Sequence, residues 1–308
     1  MHKPVMSAEV IEGLAVKTGG RYIDATLGDG GHAQALLEAI GPTGRLLGVD
    51  RDAEALEQAR SVLWDWREQY VEARANFESL AEVASTHDFL GADGVLFDLG
   101  VRSAQLDHPE RGFSFMQDGP LDMRMDQRQD WTAADLVNEW TESELAQVIW
   151  RYGEERAARR IAAAVVARRE ERRFTRTLDL AEVVELAVGG RRGKTHPATR
   201  TFQALRMRVN EELQAIEIGV RSAIDLVRPG GRIAVLTYHS LEDRLVKQIC
   251  NRHVGQWQSL QAGGQEWVGE QPQLQRFTRK PLVPSVAEVR ENPRARSAKL
   301  RIVERMKT

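Results

Sequence analysis

The chain has one cysteine in 308 residues, Cys250. A single thiol excludes an internal disulfide framework and fits a reducing cytosol. Also missing are a secretory signal and any apolar run long enough to span a bilayer, so the expectation is a cytoplasmic protein without a membrane partner. Charge of one sign is absent too: 43 lysines and arginines meet 45 acidic residues, for a formal net charge of −2. Nucleic-acid contact must then come from local basic patches rather than the field of the whole molecule. No internal repeat or strongly biased segment is found. What is present is 42% hydrophobic residue, enough for the core of one large domain or two ordinary ones.

Residues 21 to 32, RYIDATLGDGGH, read as a short apolar strand, an acidic glycine-rich turn and the start of a helix. Gly28, Gly30 and Gly31 allow a sharp turn and close approach of a ligand to the backbone. The following helix, 33 to 40, aims its free N–H groups at whatever is bound. Gly28, Gly30 and Ala33 formally satisfy the dinucleotide fingerprint, with Asp50 about twenty residues on. Asp24 and Asp29 argue against a pyrophosphate, which they would repel at close range. S-adenosylmethionine has no phosphate and offers a sulfonium, an amino group and ribose hydroxyls to a carboxylate. A methyltransferase site is therefore preferred over a dinucleotide site or a turn kept only for packing.

Further strands are expected at 45 to 49, 70 to 75, 94 to 98 and 232 to 238, with helices at 7 to 15, 52 to 66, 80 to 87 and 241 to 250. Strand alternating with helix is the doubly wound signature, in which ligands sit at the carboxyl ends of the strands. Asp50, Phe77 and Asp98 fall at such ends. Asp50 reads either as an acceptor for ribose hydroxyls or as a helix cap, and Phe77 either as a face for adenine or as core. Phe202, Leu205, Val209, Leu213, Ile216, Val220 and Ile224 describe one long helix with a buried stripe, ended by Pro229-Gly230-Gly231. Ser240 and Asp243 suggest a capping box for the helix from Leu241. Residues 251 to 276 are glutamine-rich and read as an excursion. Lys299 to Val303 alternates like a closing strand.

Between these halves the pattern changes. Residues 106 to 123 lack any period and read as a functional loop, and from Trp131 to about Val188 the pattern is helical only. Thr132 and Thr141 look like N-caps, the latter with Glu144 in a capping box. Ile161, Val165 and Val166 mark an apolar face. Arg159, Arg160, Arg168 and Arg169 stand among many arginines that continue to Arg191, Arg192 and Lys194. These are either a solvated face paired with local glutamates or a phosphate-binding surface. The expected fold is an α/β, doubly wound, Rossmann-like sheet, with residues 1–105 and 200–308 forming a discontinuous S-adenosylmethionine-binding domain. Residues 106–199 form an inserted helical substrate-recognition domain.

HKPVM (2 to 6), DATLGDGGH (24 to 32), DLGVRSAQLD (98 to 107), ERGFSF (110 to 115), GPLDMRMD (119 to 126), YGEERAARRIA (152 to 162), HPATRTFQALRMRVNEEL (196 to 213), HSLEDR (239 to 244) and ENPRARSAKLR (291 to 301) together resemble the bacterial small-subunit ribosomal RNA cytosine-N4 methyltransferases. The resemblance implies a class I methyltransferase that moves a methyl group from S-adenosylmethionine to the N4 amine of a cytidine in 16S ribosomal RNA near the P site. Its substrate is the RNA or the assembled small subunit. It implies cofactor contacts at Gly30, Gly31, His32, Asp50, Phe77, Asp98 and Gln105, and no metal. A methyltransferase acting on another RNA, a protein or a small molecule is the alternative. A monomer and a homodimer are both open. Arg102 and Ala104 depart from the serine and proline common in the family, and Tyr238 stands where phenylalanine is frequent.

An exocyclic amine is a weak nucleophile, but positioning alone supplies roughly 7 to 11 kcal/mol in favourable cases. Strand four ends in Asp98-Leu99-Gly100-Val101 rather than an Asp-Pro-Pro-Tyr motif, so the catalytic group is unassigned, with Asp98, Tyr238 and His239 as candidates and a capping role open for His239. Carbon-5 methylation usually requires an attacking cysteine, and Cys250 lies within an amphipathic helix. Phe113, Phe115 and Met123 read either as walls of a pocket for an extruded base or as core.

Overall fold

A computed structural model describes residues 4–191, 193, 195–261, 263–268 and 272–307. His2 and Lys3 of the first motif, and Arg192 and Lys194 of the basic run, lie outside the described residues. The chain divides into two compact units, residues 1–100 with 213–308, and residues 101–212. The boundaries differ from those expected at 105/106 and 199/200, because the segments flanking the insertion carry side chains that belong to the core of the helical unit.

The first unit opens with α1 (Ser7–Gly13), β1 (Arg21–Asp24), α2 (Gly31–Ile40), β2 (Arg45–Asp50), α3 (Ala53–Val62), β3 (Tyr70–Arg74), α4 (Leu80–Thr86) and β4 (Ala92–Asp98). The helical unit holds α5 (Ser103–Asp107), α6 (Ala133–Glu139), α7 (Glu142–Gly153), α8 (Ala158–Glu171), α9 (Thr177–Val188) and α10 (Thr199–Val209). The chain then returns through α11 (Glu212–Leu226), β5 (Val227–Thr237), α12 (Ser240–Val254), the hairpin strands β6 (Gln256–Ser259) and β7 (Gln265–Val268), β8 (Leu274–Arg276), α13 (Val286–Glu291) and β9 (Lys299–Arg305). The glutamine-rich stretch is thus partly regular, with a hairpin and an edge strand.

The main sheet has the order β3-β2-β1-β4-β5-β9-β8. The first five strands are parallel, and β9 runs antiparallel between β5 and β8. Alternate residues of each strand enter opposite cores: Ile23, Val95, Phe97 and Val235 pack with α4, α11 and α12, while Tyr22, Leu96, Ala234 and Leu236 pack with α1, α2 and α3. Helices on both faces are what make β4 a continuous apolar run rather than an alternating one. Burying a side chain such as Leu36 or Leu37 fully contributes about 1.5 to 3 kcal/mol.

The helical unit has a core of its own, including Leu136, Ile149, Ile161, Val165, Phe174, Leu180, Phe202 and Leu205. Thr132 and Thr141 cap α6 and α7, each within a capping box, with Asp135 and Glu144 as the acidic partners. The single long helix expected over 202 to 224 is instead α10 and α11, separated at Asn210 and Glu211. Asn210 is wholly buried, and its amide donates to the Met123 carbonyl at 2.7 Å and the Arg206 carbonyl at 2.9 Å while accepting from Met125 N at 2.8 Å. A side chain that competes for backbone partners breaks the ladder, and Glu211 follows with φ of 49°. Pro229-Gly230-Gly231 does not end a helix either. It forms a bulge within β5, where the register jumps from Ala92 opposite Val227 to Gly94 opposite Arg232.

Because Asn210→Ala leaves the Met125 N–H and the Met123 carbonyl without their partner, the variant is expected to lose about 1 to 3 kcal/mol of stability. Urea unfolding followed by helical circular dichroism checks this; an unchanged midpoint would remove Asn210 as the cause of the break.

Candidate active site

The carboxyl ends of β1, β2 and β4 lie side by side, and each ends in an aspartate. Asp24 is wholly buried; its Oδ1 accepts from Thr26 N at 3.1 Å, an Asx-type turn, and its Oδ2 has no partner among the described residues. Burial first, then the neighbouring charges of Asp98 and Asp50, push its carboxyl up to about 7. Thr26 in turn accepts from Asp98 N at 2.6 Å, so one threonine ties two strand ends together. Sequence reading did not single out Thr26, although the Asp-x-Thr spacing is the signature of such a turn.

The glycine turn is held from β2. Leu27 N donates to the Val49 carbonyl at 2.9 Å, and Gly28 N donates to Asp50 Oδ2 at 2.9 Å. Asp50 Oδ1 accepts from Asp52 N at 2.9 Å. The cap of α3 is Asp52, not Asp50, since Asp52 takes the Glu54 N–H. Gly30 is the N-cap of α2 with φ of 86°, a conformation that disfavours any residue with a Cβ. Gly31 begins the helix, against Pro4.

His32, in the first turn of α2, is 6% exposed, and neither ring nitrogen has a hydrogen-bond partner among the described residues. Its Nε2 is 3.5 Å from Asp98 Oδ2. Burial pulls the imidazole down to about 4, so it is neutral at pH 7. Asp98 Oδ1 accepts from the Tyr238 hydroxyl at 2.7 Å. Burial raises the Asp98 carboxyl to about 7 against the opposing pull of that hydrogen bond. Tyr238, half-buried beside this carboxyl, has its phenol driven well above the ordinary range. Its ring lies under Gly100, whose φ is 99° and where an added Cβ would meet ring carbon Cδ2 at 3.2 Å.

His239 is the N-cap of α12, with its Nδ1 accepting from Glu242 N at 3.4 Å while Glu242 Oε2 accepts from Tyr238 N at 2.8 Å and His239 N at 3.2 Å. The capping box therefore starts one residue before the expected Ser240. Asp243 is instead taken by Arg301 at 2.7 Å and Lys299 at 3.0 Å on β9. Phe77 stands just past β3, edge-on to Phe97 at 5.7 Å and tight against Gly219. Cys250 is buried in α12, and burial pushes its thiol up to about 11, which leaves no thiolate at neutral pH.

The first unit thus gathers Gly30, Gly31, His32, Asp50, Phe77 and Asp98 around its strand ends. Buried polar atoms at Asp24 and His32 without partners fit a ligand that brings cationic and hydroxyl groups, as S-adenosylmethionine does. Gln105 belongs to the helical unit, where it is buried in α5 and its Oε1 accepts from Arg102 N at 3.2 Å. Phe113 and Met123 are buried in the core of that unit, and Phe115 packs on His196 and Phe202, each at 4.7 Å. Of the two roles open to these residues, pocket wall or core, the packing shows the core role.

The arginines of the helical unit divide by partner. Arg169 donates to the carbonyls of Val137 and Trp140 at 2.9 and 2.6 Å, closing the end of α6. Arg168 donates to the Arg172 carbonyl at 3.0 Å and lies over the Phe174 ring. Arg172, Arg173 and Arg176 pair with Asp179, Glu139 and Asp118. Arg159 and Arg160 are exposed on α8 and carry no ion pair among the described residues.

Residues 1–306 match the model of a family described as the MraW methylase family. Relatives named ribosomal RNA small subunit methyltransferase H include one from Geobacter sulfurreducens, 48% identical over 307 residues, covering 99% of each chain. Another, from Symbiobacterium thermophilum, is 48% identical, with 98% of this chain and 96% of the relative covered. A third, from Thermomicrobium roseum, is 45% identical, with 99% and 94% covered. No described helix is long and apolar enough to cross a membrane. A match of this extent, on a sheet whose strand ends carry the acids and the glycine turn, means that the chain belongs to the MraW methylase family.

Proposed function

We propose that the chain methylates the N4 amine of one cytidine of 16S ribosomal RNA, near the P site, using S-adenosylmethionine, in the cytoplasm where small subunits are assembled. The observation that carries the reading is the row of carboxyl groups at Asp24, Asp50 and Asp98 beside a buried neutral His32, in a chain of a methylase family. When bound, S-adenosylmethionine supplies a methyl group activated on a sulfonium. Gly30 and Gly31 would let the backbone approach the donor, Asp50 would accept from its ribose, and Phe77 would lie along its base. Transfer to an amine releases one proton. Asp98, with a carboxyl near neutrality, is the group that takes it. Tyr238 keeps its proton and donates it to Asp98 in a hydrogen bond, so it orients the acceptor and is not itself the base; His239 serves the cap of α12.

Labelled S-adenosylmethionine, supplied with the protein to small subunits and to free RNA from a strain lacking it, tests the assignment by nucleoside mass spectrometry. N4-methylated cytidine in 16S RNA is the expected product. Label in another RNA, a protein or a small molecule would replace the substrate assigned here.

Asp24 and Asp98 have folded-state values above their unfolded ones, so their ionisation between about pH 4 and pH 7 opposes folding of the free protein. A cationic donor favours the ionised forms. Calorimetric affinity for S-adenosylmethionine is therefore expected to climb from about pH 6 to about pH 8, by up to about tenfold per pH unit for each proton released. Asp98→Asn flattens the climb. A level wild-type profile would show that these carboxyls do not face the donor.

The RNA surface of the helical unit is narrower than the arginine count suggests, resting on Arg159 and Arg160. Replacing both with glutamine is expected to leave cofactor affinity and melting temperature unchanged while lowering the slope of log affinity against log salt by about 1 to 2. Arg169→Gln acts instead on stability, by about 1 to 2 kcal/mol from the carbonyls it leaves. Unaltered RNA titrations of the Arg159/Arg160 pair would remove α8 from the interface.

A further inference from the structure

The carboxyl-terminal motif ENPRARSAKLR is not used by the cofactor site, yet the sheet places it at the same end of the first unit. Leu282 pairs with Leu300 across an isolated bridge, and Lys299 stands opposite Thr237 at the carboxyl end of β5. The connection 283 to 298 therefore leaves and rejoins the sheet at the end that bears Asp24, Asp50 and Asp98. Glu288 on α13 anchors it: its Oε1 accepts from Met6 N at 2.6 Å, and its charge raises the pKa of both His32 and Tyr238.

This connection belongs to a strongly basic stretch in a nearly neutral protein. The last 35 residues hold ten of the 43 lysines and arginines but three of the 45 acidic residues. Several of these cations have internal work: Lys299 and Arg301 hold Asp243, and Arg305 donates to the carbonyls of Ile224, Asp225 and Val227. Arg290 and Arg296 are exposed and make no ion pair among the described residues. They flank a fixed turn. Asn292 Oδ1 accepts from Arg294 N at 3.2 Å, and Ala295 is fully buried in the core beneath α1 and α2. Cations presented from a rigid backbone lose less entropy on binding than cations on a loose loop.

We infer that the turn from Arg290 to Arg296 is a docking surface on the catalytic unit for the phosphate backbone of the RNA strand that carries the target base. This rests on the proposed RNA substrate, and it adds a second contact to the one on α8. Contacts to phosphates do not read sequence, so the turn fixes where the strand lies beside the acidic strand ends and does not select the base.

The test compares wild type, Arg290→Gln/Arg296→Gln, and Arg290→Lys/Arg296→Lys. Binding is measured by anisotropy with a labelled fragment of small-subunit RNA over a salt series, and with purified small subunits. For the glutamine pair the expected result is a loss of about tenfold in RNA affinity and a salt slope lower by about 1 to 2. S-adenosylmethionine affinity and melting temperature stay at wild-type values, and the lysine pair retains the slope. Wild-type affinity and slope in the glutamine pair would overturn the inference. Weakened binding to subunits with unchanged binding to the RNA fragment would also overturn it, by pointing to a protein partner. If the glutamine pair melts early, Arg290→Gln alone carries the comparison, with a slope lower by about 1 expected and an unchanged slope overturning the inference. Wild-type protein that binds S-adenosylmethionine yet transfers no methyl group to subunits would remove the proposed substrate, and this surface with it.

Discussion

Three carboxyl groups brought together at neighbouring strand ends are the constraint around which the first unit is arranged. Charges of one sign at close range in a partly dry setting repel one another and resist ionisation. The protein meets that cost by three means: Thr26 and Tyr238 donate to Asp24 and Asp98, Asp50 is given two backbone N–H groups, and the Asp24 and Asp98 carboxyls titrate near 7. The Oδ2 of Asp24 has no hydrogen-bond partner among the described residues, which keeps a place for a cation that arrives with a ligand.

The sheet makes this arrangement rigid. β1, β2 and β4 are buried on both faces, so their ends cannot shift without disturbing two cores at once. Tyr238 shows how a single side chain acts within this frame. A phenylalanine would fill the same space under Gly100, but only the hydroxyl reaches Asp98. The hydroxyl adds a hydrogen bond to the ionised form of Asp98 without altering the packing.

Strand ends were legible because a buried parallel strand is written as an uninterrupted apolar run closed by a polar residue, and the glycine turn because its residues have few other uses. The family motifs extended that reading to His32 and Gln105, which no period would have marked. Other features were hidden for physical reasons. The apolar stripes of α10 and α11 continue in phase through Val209 and Leu213, so periodicity does not register a break made by the buried Asn210. Phe113, Phe115 and Met123 lie in chain without a period, where an apolar residue gives no hint of whether it faces a core or a ligand. Arg168 and Arg169 look like Arg159 and Arg160 in sequence. Only the fold shows which arginines meet carbonyls.

A cluster of acids at the strand ends is an awkward neighbour for RNA, because ionised carboxyls that welcome a cationic donor also repel the phosphates next to the target base. Depth separates the two demands. Asp24 is wholly buried and Asp98 is largely so, held in partly protonated form near neutrality, whereas Arg290 and Arg296 are exposed at the same end of the sheet. Charge held at depth acts on a ligand bound beside it, and charge at the surface acts on what passes across it. A net charge close to zero therefore hides a local ordering, acid within and base outside, that matches a small cation to the interior and a polyanion to the rim.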